Sequence, residues 1–150
     1  MRFSWELRPA DGGGGTPPAV VSYRARRMSR IIASMAALGM VVDSGPAPKF
    51  PLWAVYGVSD FDSVGRPLGR RAGDYEAALA AILSHHGSTP EPGIPLHKLR
   101  TGLGWHVTSA ECAAAVARFD ARPDDQPGPL ATRVVPFLRA AAAGDGFEVH

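Results

Sequence analysis

Apolar residues recur along this chain at two spacings, and each spacing names the element that would bury them. Over residues 2–8 they alternate, with Phe3, Trp5 and Leu7 on one side and polar groups on the other, the period of a half-buried strand. From about residue 22 to 38, Met28, Ile31, Ile32 and Met35 recur at helical intervals, and Gly39 stands where a helix ends in the left-handed conformation. Residues 40–42 predict a short strand, and residues 52–58 offer another brief apolar run. A second helix is predicted behind an Asp74 cap, with Tyr75, Ala78, Leu79, Ile82 and Leu83 as its buried stripe, ending near His85, His86 and Gly87. Residues 94–99 and 104–107 read as the arms of a hairpin, which sets His97 opposite His106 on one face.

The most determinate stretch runs from Trp105 to Phe119. Thr108 and Glu111 have the spacing of a capping box, in which the hydroxyl accepts from the N–H of residue 111 and the carboxylate accepts from that of residue 108. Val107 and Cys112 flank the cap as a hydrophobic staple, and Cys112, Ala115, Val116 and Phe119 follow on one stripe. The chain's one cysteine therefore belongs to the core as a small hydrophobe. A last helix is predicted over residues 130–143, with Leu130, Val134, Phe137, Leu138 and Ala141 facing inward. Pro136 lacks an amide hydrogen and crowds the preceding turn, so this helix kinks there or begins there. Residues 147–150 then add a strand beside the hairpin or beside the first strand. The whole reads as a single α+β domain over residues 1–150, about four helices packed on a small antiparallel sheet, with a flexible Gly/Pro loop at about 9–19.

Composition adds class rather than activity. At 150 residues and 45% hydrophobic, the chain is long enough for a continuous core without staples. A lone Cys, no long apolar run and no signal-peptide pattern after Met1 point to a cytoplasmic protein outside the membrane. The net charge of +2 is carried mostly by arginine, 14 Arg to 2 Lys, a bias that also suggests a GC-rich coding source. Residues 1–110 hold 12 basic and 8 acidic groups, against 4 and 6 in the remainder, which leaves room for an anionic partner of the N-terminal part.

Two constellations could carry chemistry. Arg24, Arg26, Arg27 and Arg30 fall within seven residues without an acid, and Arg66, Arg70 and Arg71 form a second group. Together they would contact phosphates as an anion or nucleic-acid surface, the bland alternative being a solvated face in an arginine-rich chain. No helix-turn-helix, zinc-finger or aromatic RNA-binding pattern accompanies them. His97 and His106, as cross-strand neighbours, would supply two imidazoles to a metal, although their spacing fits no standard signature and a packed polar pair is the simpler reading. Asp60 and Asp62 resemble a weak Mg²⁺ pair but suit an Asx turn better, and Gly12 to Gly15 lacks the Lys-Ser/Thr of a phosphate loop.

Ile94-Pro-Leu-His-Lys-Leu, Gly104-Trp-His-Val-Thr-Ser-Ala-Glu-Cys, and the closing Phe137-Leu-Arg-Ala-Ala with Gly146-Phe-Glu-Val-His resemble small uncharacterised proteins of actinobacteria and their phages, over about residues 94–150. That resemblance implies an α+β module in a cytosolic setting and brings no catalytic residues. The resulting expectation is a non-catalytic binding or accessory protein that needs no cofactor and acts through a protein partner. A nucleic-acid-associated protein using the arginine face is the first alternative, and a metal-assisted hydrolase using His97 and His106 the second.

Overall fold

The computed structural model describes residues 1–8, 19–87 and 91–150. In chain order the strands and helices are β1 (Arg2–Leu7), β2 (Val20–Arg24), α1 (Ala25–Ala37), β3 (Val41–Val42), β4 (Asp60–Phe61), β5 (Pro67–Leu68), α2 (Ala72–Ser84), β6 (Ile94–Pro95), α3 (Leu96–Arg100), β7 (Trp105–Val107), α4 (Ser109–Asp120), α5 (Val135–Ala143) and β8 (Phe147–Val149). These residues make an α+β fold, and no described helix is long and apolar enough to cross a membrane. They divide into two units, Met1–Pro46 with His86–His150, and Ala47–His85. The Gly/Pro loop expected at about 9–19 lies, but for its last residue, outside the described residues.

The larger unit is organised by a four-stranded antiparallel sheet in the order β2-β1-β8-β7. Alternation turns Trp5, Trp105, Val107, Phe147 and Val149 inward, each no more than 1% exposed. Trp5, Phe137 and Phe147 form the aromatic centre, with ring centroids 5.2–6.3 Å apart. α4 and α5 pack on each other, and α5 brings Phe137 onto Trp5. A π-helical turn, Leu130–Val134, leads into α5, and Pro136 follows at the junction, so the regular α-helical ladder is broken where the proline lacks its N–H. Gly146 is confined to glycine twice over, since its φ is +74° and a Cβ would lie 2.0 Å from the Val107 carbonyl oxygen.

Three elements depart from the sequence expectation. Residues 22–24, expected to open the first helix, belong instead to the strand over 20–24, because β1 offers it a ladder from Glu6↔Val20 to Arg2↔Arg24, so α1 begins only at Ala25. Its end is as expected: Gly39, φ +75°, closes a Schellman motif with Gly39 N donating to Ala36 O and Met40 N to Met35 O. The hairpin over 94–107 does not form. β8 takes β7 as its partner, placing His106 opposite Glu148, while His97 sits in the short helix α3. The third departure concerns α2, which starts at Ala72 behind Arg71 rather than behind Asp74.

The smaller unit contains the antiparallel pair β4–β5, a 3-10 turn at Trp53–Tyr56 and α2. Asp62 Oδ1 accepts from the N–H of Val64 and Arg66, so this aspartate shapes the turn between β4 and β5. Tyr56 meets Tyr75 edge-on at 5.9 Å, and Trp53 lies 5.7 Å from Phe61.

Candidate functional site

The first arginine group is gathered by the corner between β2 and α1. Arg24 is the residue before the helix, Arg26 and Arg27 stand in its first turn and Arg30 follows one turn later, all exposed. With Ile31, Ser34, Pro127, Pro129 and Leu130 they line one groove of about 550 Å³. The opposite wall is the Pro-rich segment 127–130, which begins the approach to α5. Among the described residues none of the four makes an ion pair, and Arg27 lies over the Tyr23 ring at 4.8 Å. The first turn of α1 holds no acid and has no side-chain cap. Cations at that end oppose the helix dipole, so the arrangement works against stability and favours a bound negative charge.

The second arginine group belongs to the other unit. Arg66, Arg70 and Arg71 are all exposed there, and Arg71 is committed locally, paired with Asp74 at 3.0 Å and laid over the Tyr56 ring at 5.0 Å.

A second polar constellation, centred on Lys98, whose role no local pattern indicates, lies in the larger unit with its lysine and glutamate buried and its histidine part-exposed. Lys98, 0% exposed, donates to His106 O at 2.8 Å and to both carboxylate oxygens of Glu111 at 2.9 and 3.0 Å. Glu111, 4% exposed, also accepts from Thr108 N at 2.9 Å, completing the capping box with Glu111 N donating to Thr108 Oγ1 at 3.2 Å. His86 Nδ1 lies 2.6 Å from Glu111 Oε1 and, facing a carboxylate, carries the proton there. One carboxylate thus serves a helix cap, an ammonium and an imidazole. Burial pulls the Lys98 pKa below its ordinary value, with the hydrogen bond and charge of Glu111 acting in the opposite sense.

Cys112, next along the helix, is 0% exposed, and burial reinforced by the Glu111 charge pushes its thiol up to about 12. At neutral pH it stays a thiol enclosed by the core. Lys98 and Cys112 present no surface to a substrate, so neither can act as a nucleophile; the part-exposed member of the cluster is His86. The only hint of Lys98 in the sequence is the scarcity of lysine beside arginine.

The two histidines proposed as metal ligands occupy separate settings. His97 is 5% exposed, its Nδ1 is 2.7 Å from Ser44 Oγ, its backbone N donates to the same oxygen, and its ring meets Trp105 edge-on at 5.0 Å. His106 Nε2 is 2.9 Å from Asp145 O, so this nitrogen donates. The pairing that would have joined the two rings depended on the hairpin, and among the described residues no group of three or more His, Cys, Asp or Glu is placed to hold a metal ion.

No family model, curated protein or solved structure matches this chain, so its functional reading rests on the groove and the buried cluster themselves.

Proposed function

We propose that this is a non-catalytic binding protein that receives the anionic group of a partner in the groove lined by Arg24, Arg26, Arg27 and Arg30. The observation that carries the reading is four arginines lining one concavity with no acid among its lining residues. A chain selected only for stability gains nothing from three cations in the first turns of α1, whereas an anion there would meet both the guanidiniums and the helix N-terminus. Two further facts favour binding over catalysis. The buried ammonium and thiol lie out of a substrate's reach, and Glu111 is already occupied by the cap, Lys98 and His86.

Retention on a heparin column tests the proposal. The expected result is retention at low salt that falls steeply as salt rises and is lost in Arg26→Ala/Arg27→Ala, with thermal stability unchanged or raised. Absence of retention at low salt would refute it.

A further inference from the structure

β2 is one of the two outer strands of its sheet, and hydrogen-bond phase fixes which of its backbone groups face outward. Leu7 N donates to Ala19 O and Ala25 N to Met1 O, so with the register Trp5↔Val21 and Phe3↔Tyr23 the odd-numbered residues bond β1. The N–H and C=O of Val20 and Ser22, with the N–H of Arg24, point to the other side, where no described strand pairs with them. Natural sheets seldom leave such an edge uncovered, since it is a template for another chain. Beside this one runs a groove of about 580 Å³, lined by Ala19 to Tyr23 on one wall and by Arg133, Pro136, Phe137 and Ala140 on the other. The lining of the arginine groove follows next in sequence on both sides: residues 19–23 give way to Arg24 and α1, and residues 133–140 are preceded by Pro127 to Leu130.

We infer that this edge is a strand-addition site for an extended, acidic peptide segment of a partner protein, which pairs with β2, seats alternate side chains against Pro136, Phe137 and Ala140, and presents its acidic end to the arginines. The inference rests on the anion-binding reading and names its partner class. Three observations select this occupant. Outward groups alternate donor and acceptor, which a polypeptide satisfies and a nucleic-acid backbone, rich in acceptors, does not. No acid lines either groove, and Arg133 is exposed without an ion pair among the described residues, so the charge complement is acidic. A second copy of this chain, laid β2 against β2, would offer only Val20 to Arg24, which carry no acid to complement either groove. The five residues of β2 set the length of the paired segment.

The probe is a synthetic, fluorescently labelled peptide of alternating valine and threonine over five residues with two aspartates at each end, followed by anisotropy. Two N-methylated versions carry methyl groups on alternate amides in opposite phases, and strand addition predicts that one phase abolishes binding while the other leaves it within about threefold. Ser22→Pro removes an outward N–H and no bond to β1, so it should weaken binding at least tenfold with an unchanged circular-dichroism spectrum. Arg24→Ala/Arg133→Ala should weaken it and flatten its salt dependence. Equal effects of the two methylation phases, or no peptide binding while heparin retention persists, would overturn the inference and leave the anion groove standing; loss of both would overturn both. A dimer in sedimentation that Ser22→Pro dissociates would assign the edge to a second copy instead.

Discussion

α2 and α4 are nearly the same helix on paper and very different in the folded chain. Each has an acid in its first turn and an apolar stripe at helical spacing, over 13 and 12 residues. α4 buries Glu111, Cys112, Ala115, Val116 and Phe119, whereas α2 buries none of its residues, Tyr75, Ala78, Leu79, Ile82 and Leu83 staying half-exposed. Periodicity says which side of a helix would be covered; it is silent on how much surface exists to cover it. The unit around α2 is only residues 47–85, and Val58 is the sole described apolar residue in it classed as buried, with Leu52 66%, Val55 65% and Val64 71% exposed. A segment that small has too little interior for its apolar groups. The acids differ as well: Glu111 closes a capping box under cover, while Asp74 pairs with Arg71 in solvent.

Truncation along the two stripes should separate the helices most. Phe119→Ala removes a ring that is 4% exposed and should cost about 3–5 kcal/mol in urea unfolding, while Ile82→Ala on α2 should cost well under half of that. Equal costs would erase the contrast. Breaking the buried cluster comes next. Glu111→Ala leaves the Lys98 ammonium buried with the His106 carbonyl as its remaining partner from the cluster, and should cost about 3–4 kcal/mol. Adding Lys98→Met should recover a large part of that loss, which a purely local cap effect would not permit.

Cys112 offers a pH test with a definite sign. Its thiol is raised from an unfolded value near 9.0 to about 12, so across that interval the native state holds a proton the unfolded chain has released. Stability from this group is complete below pH 9 and falls as pH rises toward 12, by about 1.4 kcal/mol per unit. Lys98 acts in the opposite sense up to its ordinary 10.5, since its depressed native pKa leaves the unfolded state holding more protons there. Comparing Cys112→Ala with the parent cancels most of the lysine contribution: the variant's deficit should shrink steadily above pH 9, and a constant deficit would contradict the buried-thiol assignment. Native Cys112 should also resist thiol reagents at neutral pH until the chain unfolds.

Smaller effects follow at the helix ends. Gly39→Ala imposes a side chain on φ +75° and should cost about 1–2 kcal/mol. Asp74→Ala removes only the exposed pair with Arg71 and should change stability by no more than about 0.5 kcal/mol, whereas Thr108→Ala should cost about 1 kcal/mol.

Legibility divides along the same line as α2 and α4. The Thr108–Glu111 box, the inward cysteine, the stripe of α4, the Gly39 stop and the break at Pro136 were all readable, because each is decided by residues within a few positions of one another. β2 was not, although Val20, Val21 and Tyr23 are good strand formers, because the helical spacing of Met28 and Ile31 could be extended backward with nothing local to stop it. The arginine group was visible as charge, but its convergence with Pro127, Pro129 and Leu130 joins positions a hundred residues apart. Lys98 shows the limit most plainly. Nothing beside it announces a buried ammonium; the carboxylate that makes one tolerable lies 13 positions on, and the carbonyl that completes it lies on β7.

By itself the sequence determined the α+β class, the positions of the strong helices and the inward fate of the sole cysteine, since backbone propensity, caps and side-chain period act over one or two turns. Only the tertiary structure decided that β8 inserts between β1 and β7 while His97 goes into α3, and that Glu111 is shared by the buried Lys98 and the part-exposed His86. Strand partners and buried ions are chosen by competition among distant segments for hydrogen bonds and for cover from water, and no window along the chain contains all the competitors.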